Sequence, residues 1–256
     1  MKTVWHHLLR FVALLLIATV SLQLFFLVRI ALMRVVDPQS TTFQRSEARR
    51  IIEQQGDLPW RQQWVDLPQM SDHLKRAVIA SEDGGFASHG GVDWDAVEQA
   101  WARNERAQAA TERRAARSGA KTGAAAGAGA SVEAKVVGGS TITQQLAKNL
   151  LLSGERNLAR KAQEFVLTAM LEGLLSKQRI LEIYLNSVEW GEGVFGAQAA
   201  AQHYFRIDAA QLSPWQAARL AVMLPAPKRF EKRPGSAYLT GRSATVMARM
   251  SAVQLP

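Results

Sequence analysis

No cysteine occurs among the 256 residues, which excludes disulfides, a thiol nucleophile and a cysteine-ligated metal, and leaves the redox compartment open. Acidic residues are in deficit: 22 Asp and Glu stand against 31 Lys and Arg, a formal charge of +9. That balance favours a polyanionic partner, whether nucleic acid, acidic phospholipid or phosphorylated substrate, and does not choose among them. No segment alternates apolar and polar residues in the manner of a strand, and no repeat of 33 to 35 residues marks a helical solenoid. Beyond residue 33, no uncharged apolar run is long enough to cross a bilayer.

One such run does stand at the N-terminus. Phe11 to Val28 contains no charged residue and is flanked by Lys2 and Arg10 on one side and Arg29 and Arg34 on the other. As a helix it spans roughly 27 Å, close to the ~30 Å hydrocarbon core. A cleaved signal peptide would have a shorter apolar region and a small-x-small site, which Ile30-Ala31-Leu32-Met33-Arg34 does not offer. Residues 11–33 therefore read as a transmembrane anchor after a short segment, 1–10. The flanking charges are nearly balanced, so they barely decide orientation.

Residues 34–57 read as a connector. The whole stretch 34–70, polar and carrying Pro38, Pro59 and Pro68, reads as an extended lead-in to a domain placed at 58–256. Ser71-Asp72 can cap a helix whose apolar face holds Leu74, Ala77 and Val78, and Gly84-Gly85 would stop it, so Glu82 falls at a helix C-terminus. Residues 107–135 are dominated by Ala, Gly, Arg, Ser and Thr without an aromatic, and read as a flexible insertion that cannot bury enough apolar surface to order. Within it, Ser118-x-x-Lys121, Lys121-Thr122-Gly123 and Gly119-Ala120-Lys121-Thr122 mimic penicillin-binding and phosphate-loop signatures. They overlap within a few residues and lack the flanking elements those motifs need. Thr141 and Gln144 have capping-box spacing, which puts Gln144 and Lys148 on one helix face. Leu158 to Lys177 is apolar enough to be a buried helix, and Ser213-Pro214-Trp215-Gln216 opens another. The domain is expected to be mainly α.

Three segments carry chemistry. Glu82 and Asp83 sit at the negative end of a helix, where dipole and mutual repulsion would both raise a carboxylate pKa towards the range a general base needs. Lys148 stands on the helix opened by Thr141. Arg160, Lys161 and Glu164 form the third group, with Glu164 directly before an apolar run, where a buried carboxylate needs a cation or a task.

These segments resemble one family. Glu82-Asp83-x-x-Phe86-x-x-His89-x-Gly91, Gly139-Ser140-Thr141-Ile142-Thr143-Gln144-Gln145-x-x-Lys148-Asn149, Arg160-Lys161-x-x-Glu164 and Lys177-x-x-Ile180-Leu181-Glu182-x-Tyr184-Leu185-Asn186 are similar to four ordered signatures of glycosyltransferase family 51. That is the peptidoglycan glycosyltransferase domain of penicillin-binding proteins. Gly193-Val194-Phe195-Gly196 through Tyr204 and Phe205 resembles a fifth. The likeness covers residues 58 to 230, and members with an anchor and no transpeptidase domain match best.

The resemblance implies a lysozyme-like, two-lobed fold on the periplasmic face of a bacterial inner membrane, with residues 1–10 cytoplasmic. It implies polymerisation of lipid II onto a growing lipid-linked glycan with release of undecaprenyl diphosphate. Glu82 would be the base and Glu164 the second essential carboxylate. Ser140, Thr141, Gln144, Gln145, Lys148, Arg160 and Lys161 would bind substrate, while Asp83, Phe86, His89 and Asn149 support the site. Tyr184 and Asn186 read as structural, and Trp190 and Phe195 as core residues or membrane-dipping ones. A divalent cation, Mg or Mn, is the candidate cofactor. Membrane, penicillin-binding proteins and division proteins are the candidate partners, and nucleic acid is not expected. A lytic muramidase or a non-catalytic membrane scaffold are the rival readings.

Overall fold

The computed structural model describes residues 2–119, 140–152, 154 and 157–256. It opens with α1 (Lys2–Leu32), a single helix long and apolar enough to cross a membrane, most of whose surface nothing covers. Its last turns belong to the domain. Ile30 and Met33 are buried in the core, and Phe26 packs against it. Gln23 and Gln163 exchange side-chain hydrogen bonds of 2.8 and 3.0 Å, and Arg179 Nε donates to the carbonyl of Met33 at 2.7 Å. An amide in an apolar helix is costly unless paired, so the reciprocal bond ties α1 to α6 (Leu158–Leu174) at one register.

The stretch expected as an extended lead-in contains a helix, α2 (Thr42–Gln55), opened by a capping box of Thr41 and Gln44 and closed by Gly56 in the left-handed region. The three prolines that suggested extension all lie outside it. Beyond it come β1 (Arg61–Gln62), α3 (Asp72–Glu82) and α4 (Trp94–Gly119). Ser71 caps α3 as its spacing predicts. Helix α4 corrects the insertion reading: residues 107–119 are helical, since Ala, Arg, Gln and Glu are strong helix formers even where no core is available. The remainder of that segment, 120–135, and with it most of the three mimicking motifs, lies outside the described residues, as does Gly139.

The chain continues through α5 (Ile142–Leu151), α6, α7 (Lys177–Ser187), β2 (Glu189–Gly191), β3 (Val194–Phe195), α8 (Ala197–Phe205), α9 (Pro214–Met223), α10 (Pro227–Glu231) and α11 (Ala237–Met250). Helix α6 stops at Leu174, before the expected Lys177, because Ser176 caps α7. No strand was expected, yet β1, β3 and β2 form a small sheet in that order. Arg61 pairs in parallel with Val194, and Glu189 in antiparallel with Phe195. Strands of two or three residues are too short for alternation to register. Gly193, at φ +69°, makes the approach possible: a Cβ there would lie 2.0 Å from the Pro59 carbonyl oxygen.

Two helical groups share the core. Helix α3 packs on α9 and α11, while α5 packs on α6, α7 and α2. Each fully buried Leu or Ile, such as Leu74, Leu146 and Leu171, contributes about 1.5–3 kcal/mol of transfer free energy. Trp190 and Phe195 are both fully buried. The Trp190 indole donates to the Leu220 carbonyl at 3.0 Å, and Phe195 stacks on Trp60 at 4.5 Å. Core packing is therefore their role.

Candidate active site

Between the two groups lies a cleft of about 810 Å³, walled by the end of α3, the outer face of α5, the start of α6, the first turns of α2 and the chain leading into α10. Glu82, the last residue of α3, lines it. Its Oε2 accepts a hydrogen bond from Gln145 Nε2 at 3.1 Å, and Gln145 Oε1 in turn accepts one from the Tyr184 hydroxyl at 2.9 Å. This buried tyrosine thus acts on the site through Gln145, fixing which way that amide faces. Reading Tyr184 as purely structural misses that link.

Burial is the main cause that raises the Glu82 pKa, opposed by the hydrogen bonds from Gln145 and Ser81 and by the charge of Arg242. The direction agrees with the helix-end expectation, but the cause does not: repulsion from Asp83 is the smallest of the named contributions. A carboxylate screened from water on a cleft wall is stabilised less as an anion, and so becomes a better proton acceptor.

Asp83 turns away from the cleft and latches the following loop. Its Oδ1 accepts from His89 Nε2 at 2.7 Å and its Oδ2 from the backbone N–H of Ile142, the first residue of α5, at 3.0 Å. The N–H of Gly91 donates to His89 Nδ1 at 3.1 Å, which leaves the ring proton on Nε2, facing Asp83. Phe86 is fully buried beneath, with the Lys177 ammonium 4.5 Å from its ring centre. Gly91, at φ +88°, lies so close to α6 that a Cβ would meet Thr168 Cγ2 at 2.7 Å. Its carbonyl accepts the Thr141 hydroxyl at 2.6 Å. Loop, α5 and α6 are therefore locked together, and the lock sets the position of Glu82.

Helix α5 presents the second group. Ser140, Gln144, Gln145, Lys148 and Asn149 line the cleft. Thr141 and Gln144 are buried and spend their side chains on the capping box, so what they offer the cleft is chiefly the placement of their neighbours. Helix α6 presents the third group. Glu164 is 3% exposed and accepts from Lys161 Nζ at 2.6 Å and Arg160 Nη1 at 3.2 Å. Asn157 caps this helix, and its first turn carries the two cations to the cleft wall. Arg160 Nε is buried with no hydrogen-bond partner among the described residues. A buried guanidinium donor left open beside a cleft favours an anionic oxygen from outside.

For a metal, the described residues offer one trio, Asp83, His89 and Asp93, with ligand atoms within 4.8 Å of one another. Both His89 nitrogens and both Asp83 oxygens are already engaged, and Asp93 Oδ1 caps α4 by accepting from Ala96 N at 2.8 Å. That set is a structural latch and does not fit a cation. In the cleft itself Glu164 is the carboxylate beside the basic group. Both of its oxygens are engaged by Lys161 and Arg160, so it fits a divalent ion only where one of those contacts gives way and substrate phosphate oxygens complete the ligand set.

The sequence profile of the transglycosylase family matches residues 49–251. The chain belongs to that family. Among similar proteins are the biosynthetic peptidoglycan transglycosylases of Burkholderia pseudomallei, 49% identical over 93% of this chain and 84% of the relative, and of Burkholderia thailandensis, 48% identical over the same shares. That of Paraburkholderia xenovorans is 46% identical over 94% of this chain and 90% of the relative. In this transglycosylase, sequence reasoning overlooked part of the cleft: Thr42, Phe43 and Ser46 of α2, Val188 and Glu189, and Leu224, Pro225 and Pro227. The capping-box spacing of Thr41 and Gln44 was a readable sign of α2. Nothing local marked Glu189.

Proposed function

We propose that the chain is a peptidoglycan glycosyltransferase that polymerises lipid II into β-1,4-linked glycan and releases undecaprenyl diphosphate. The observation that carries this reading is the union, in one cleft, of a desolvated carboxylate with a cationic wall holding an open guanidinium donor. Glu82 takes the proton from the acceptor sugar 4-hydroxyl as its oxygen attacks the donor anomeric carbon. The bond from that carbon to the diphosphate oxygen breaks on the opposite side, so configuration inverts. Negative charge grows on the diphosphate, and Lys148, Arg160 and Lys161 stabilise it more in the transition state than before it. Arg160 suits phosphate oxygens through its planar fork, while the lysines act as point charges. Glu164 holds Arg160 and Lys161 in place. Glu164 is the residue that would hold a divalent cation here, which would supply positive charge against the negative charge growing on the diphosphate.

The anchor serves the substrate. A lipid-linked sugar stays at the membrane surface, and tethering the enzyme there raises the effective concentration. The end of α1 packs into the domain beside α6, which supports a cleft held near the headgroups. The inner membrane, with the domain on its periplasmic side, is the compartment this substrate requires.

Labelled lipid II incubated with the full chain tests the reading. The expected result is polymer from the wild type and a loss of about 10³-fold in rate for Glu82→Gln, within the range general base catalysis supplies. Polymerisation undiminished in Glu82→Gln would refute the assignment of the base. Glycan shortened without polymer would establish a muramidase instead.

A further inference from the structure

A second group of charges reaches this cleft through Glu189 and has no part in the reaction as written. Glu189 opens β2 and lines the same cleft as Glu82, whose lining also holds Phe43, Ser46, Leu224 and Pro227. Lys228 Nζ is ion-paired with its Oε1 at 3.3 Å and also hydrogen-bonds Glu47. Glu47 also pairs with Arg50, and Arg50 with Glu192, at 2.9 and 2.6 Å. Glu189 is 8% exposed, and its buried Oε1 accepts no hydrogen bond among the described residues.

A buried carboxylate oxygen held by an ion pair at 3.3 Å but with no well-aligned donor is poorly compensated. Glu189 is held in that state by its place in the sheet and by the ion-pair chain behind it. What it lacks, a ligand in the cleft can give: a hydrogen-bond donor. Three carboxylates, Glu189, Glu47 and Glu192, stand against two cations, Lys228 and Arg50, an excess of one negative charge when all are ionised. Burial, followed by the nearby Glu47 and Glu192, holds the Glu189 pKa at about 7 against the pull of Lys228. Near neutrality it is therefore only partly ionised, which weakens its hold on an ammonium group. A hydroxyl can donate to the ionised form and accept from the protonated one. The apolar neighbours suit the C–H faces of a sugar ring.

We propose that Glu189, supported by Lys228 and Glu47, is a sugar-binding group of this cleft, accepting a hydroxyl or amide N–H of an N-acetylated sugar. This rests on the reading of the cleft as a site of glycosyl transfer. Glu189 is a specificity and positioning residue, and no bond to the reacting atoms is assigned to it.

The test uses the full chain in detergent or liposomes with lipid II. Glu189→Ala is expected to raise KM about tenfold, the worth of one hydrogen bond, with kcat changed by less than about twofold. Glu189→Gln, which keeps an acceptor oxygen, should raise KM by only about threefold. Saturation-transfer NMR with N,N′-diacetylchitobiose, which needs no turnover, should show contact with the wild type and its loss in Glu189→Ala. Unchanged KM and unchanged sugar contact in both variants would overturn the proposal. So would a fall in kcat at constant KM, or loss of folding in both variants. If the KM effect vanished with lipid II whose peptide amine is acylated, the occupant would be the amine, and the sugar assignment would fail. A wild type that binds the sugar but makes no polymer refutes the glycosyltransferase reading while leaving the subsite standing.

Discussion

Glu189→Gln should stabilise the protein at alkaline pH and leave it unchanged in acid. The folded state raises this carboxyl from 4.5 to about 7. With the folded value above the unfolded one, the group's favourable contribution is complete below about pH 4.5 and is lost as pH rises through about 7. At about 1.36 kcal/mol per tenfold change in proton affinity, the ionised group costs the folded state roughly 3 kcal/mol at about pH 8. Glutamine has nearly the same shape and never ionises, so it escapes that cost, while Lys228 keeps Glu47 as a partner. For a domain of this size, roughly 3 kcal/mol corresponds to a rise in Tm of about 6–12 °C. Thermal unfolding of the detergent-solubilised chain at about pH 5 and about pH 8 measures it. Equal loss of Tm at both pH values would show that the ion pair with Lys228 outweighs desolvation, and would refute the reasoning. A carboxylate kept at a cost to stability is retained for another reason, which is the logic behind assigning it a ligand.

Other outcomes follow from the same geometry. Gln145→Leu removes the donor that lowers the Glu82 pKa, so the acid limb of the kcat/KM profile should move to higher pH; a move to lower pH would contradict the assigned hydrogen bond. Asp83→Ala strands the ring N–H of His89 and the N–H of Ile142 in a buried setting, at about 1–3 kcal/mol each. Denaturant unfolding should show a loss of about 3 kcal/mol or more, and Asp83→Asn should recover part of it. Deleting residues 109–133 should leave most polymerase activity in a folded protein, because among the described residues α4 packs on no other element in quantity and loop length costs little entropy. Loss of activity with folding retained would give that segment a catalytic role.

Much of the architecture was legible because its signals are local. Ser71, Thr141 with Gln144, and Ser213 with Gln216 cap α3, α5 and α9 as their spacing requires. A cap is decided within one turn of chain, so three residues suffice to read it. Helix α2 carries the same mark in Thr41 and Gln44, and the prolines that argue for an extended chain lie beyond its ends. Residues 107–119 have no aromatic or core-forming run to argue for order, yet their own helix propensity suffices for the end of α4.

The sequence by itself determined the long apolar N-terminal helix, the helical character, the ordered signatures and the residue types gathered at Glu82, Lys148, Arg160, Lys161 and Glu164. These depend on composition and on spacings of a few residues, which survive in a one-dimensional string. Only the tertiary structure decided that Glu82 is perturbed by burial more than by Asp83, that Tyr184 reaches it through Gln145, and that Gln23 fixes α1 against α6. The same holds for Glu189, which shares a cleft with Glu82 from 107 positions away. Desolvation depends on every neighbour that excludes water, and most of those neighbours are distant in sequence.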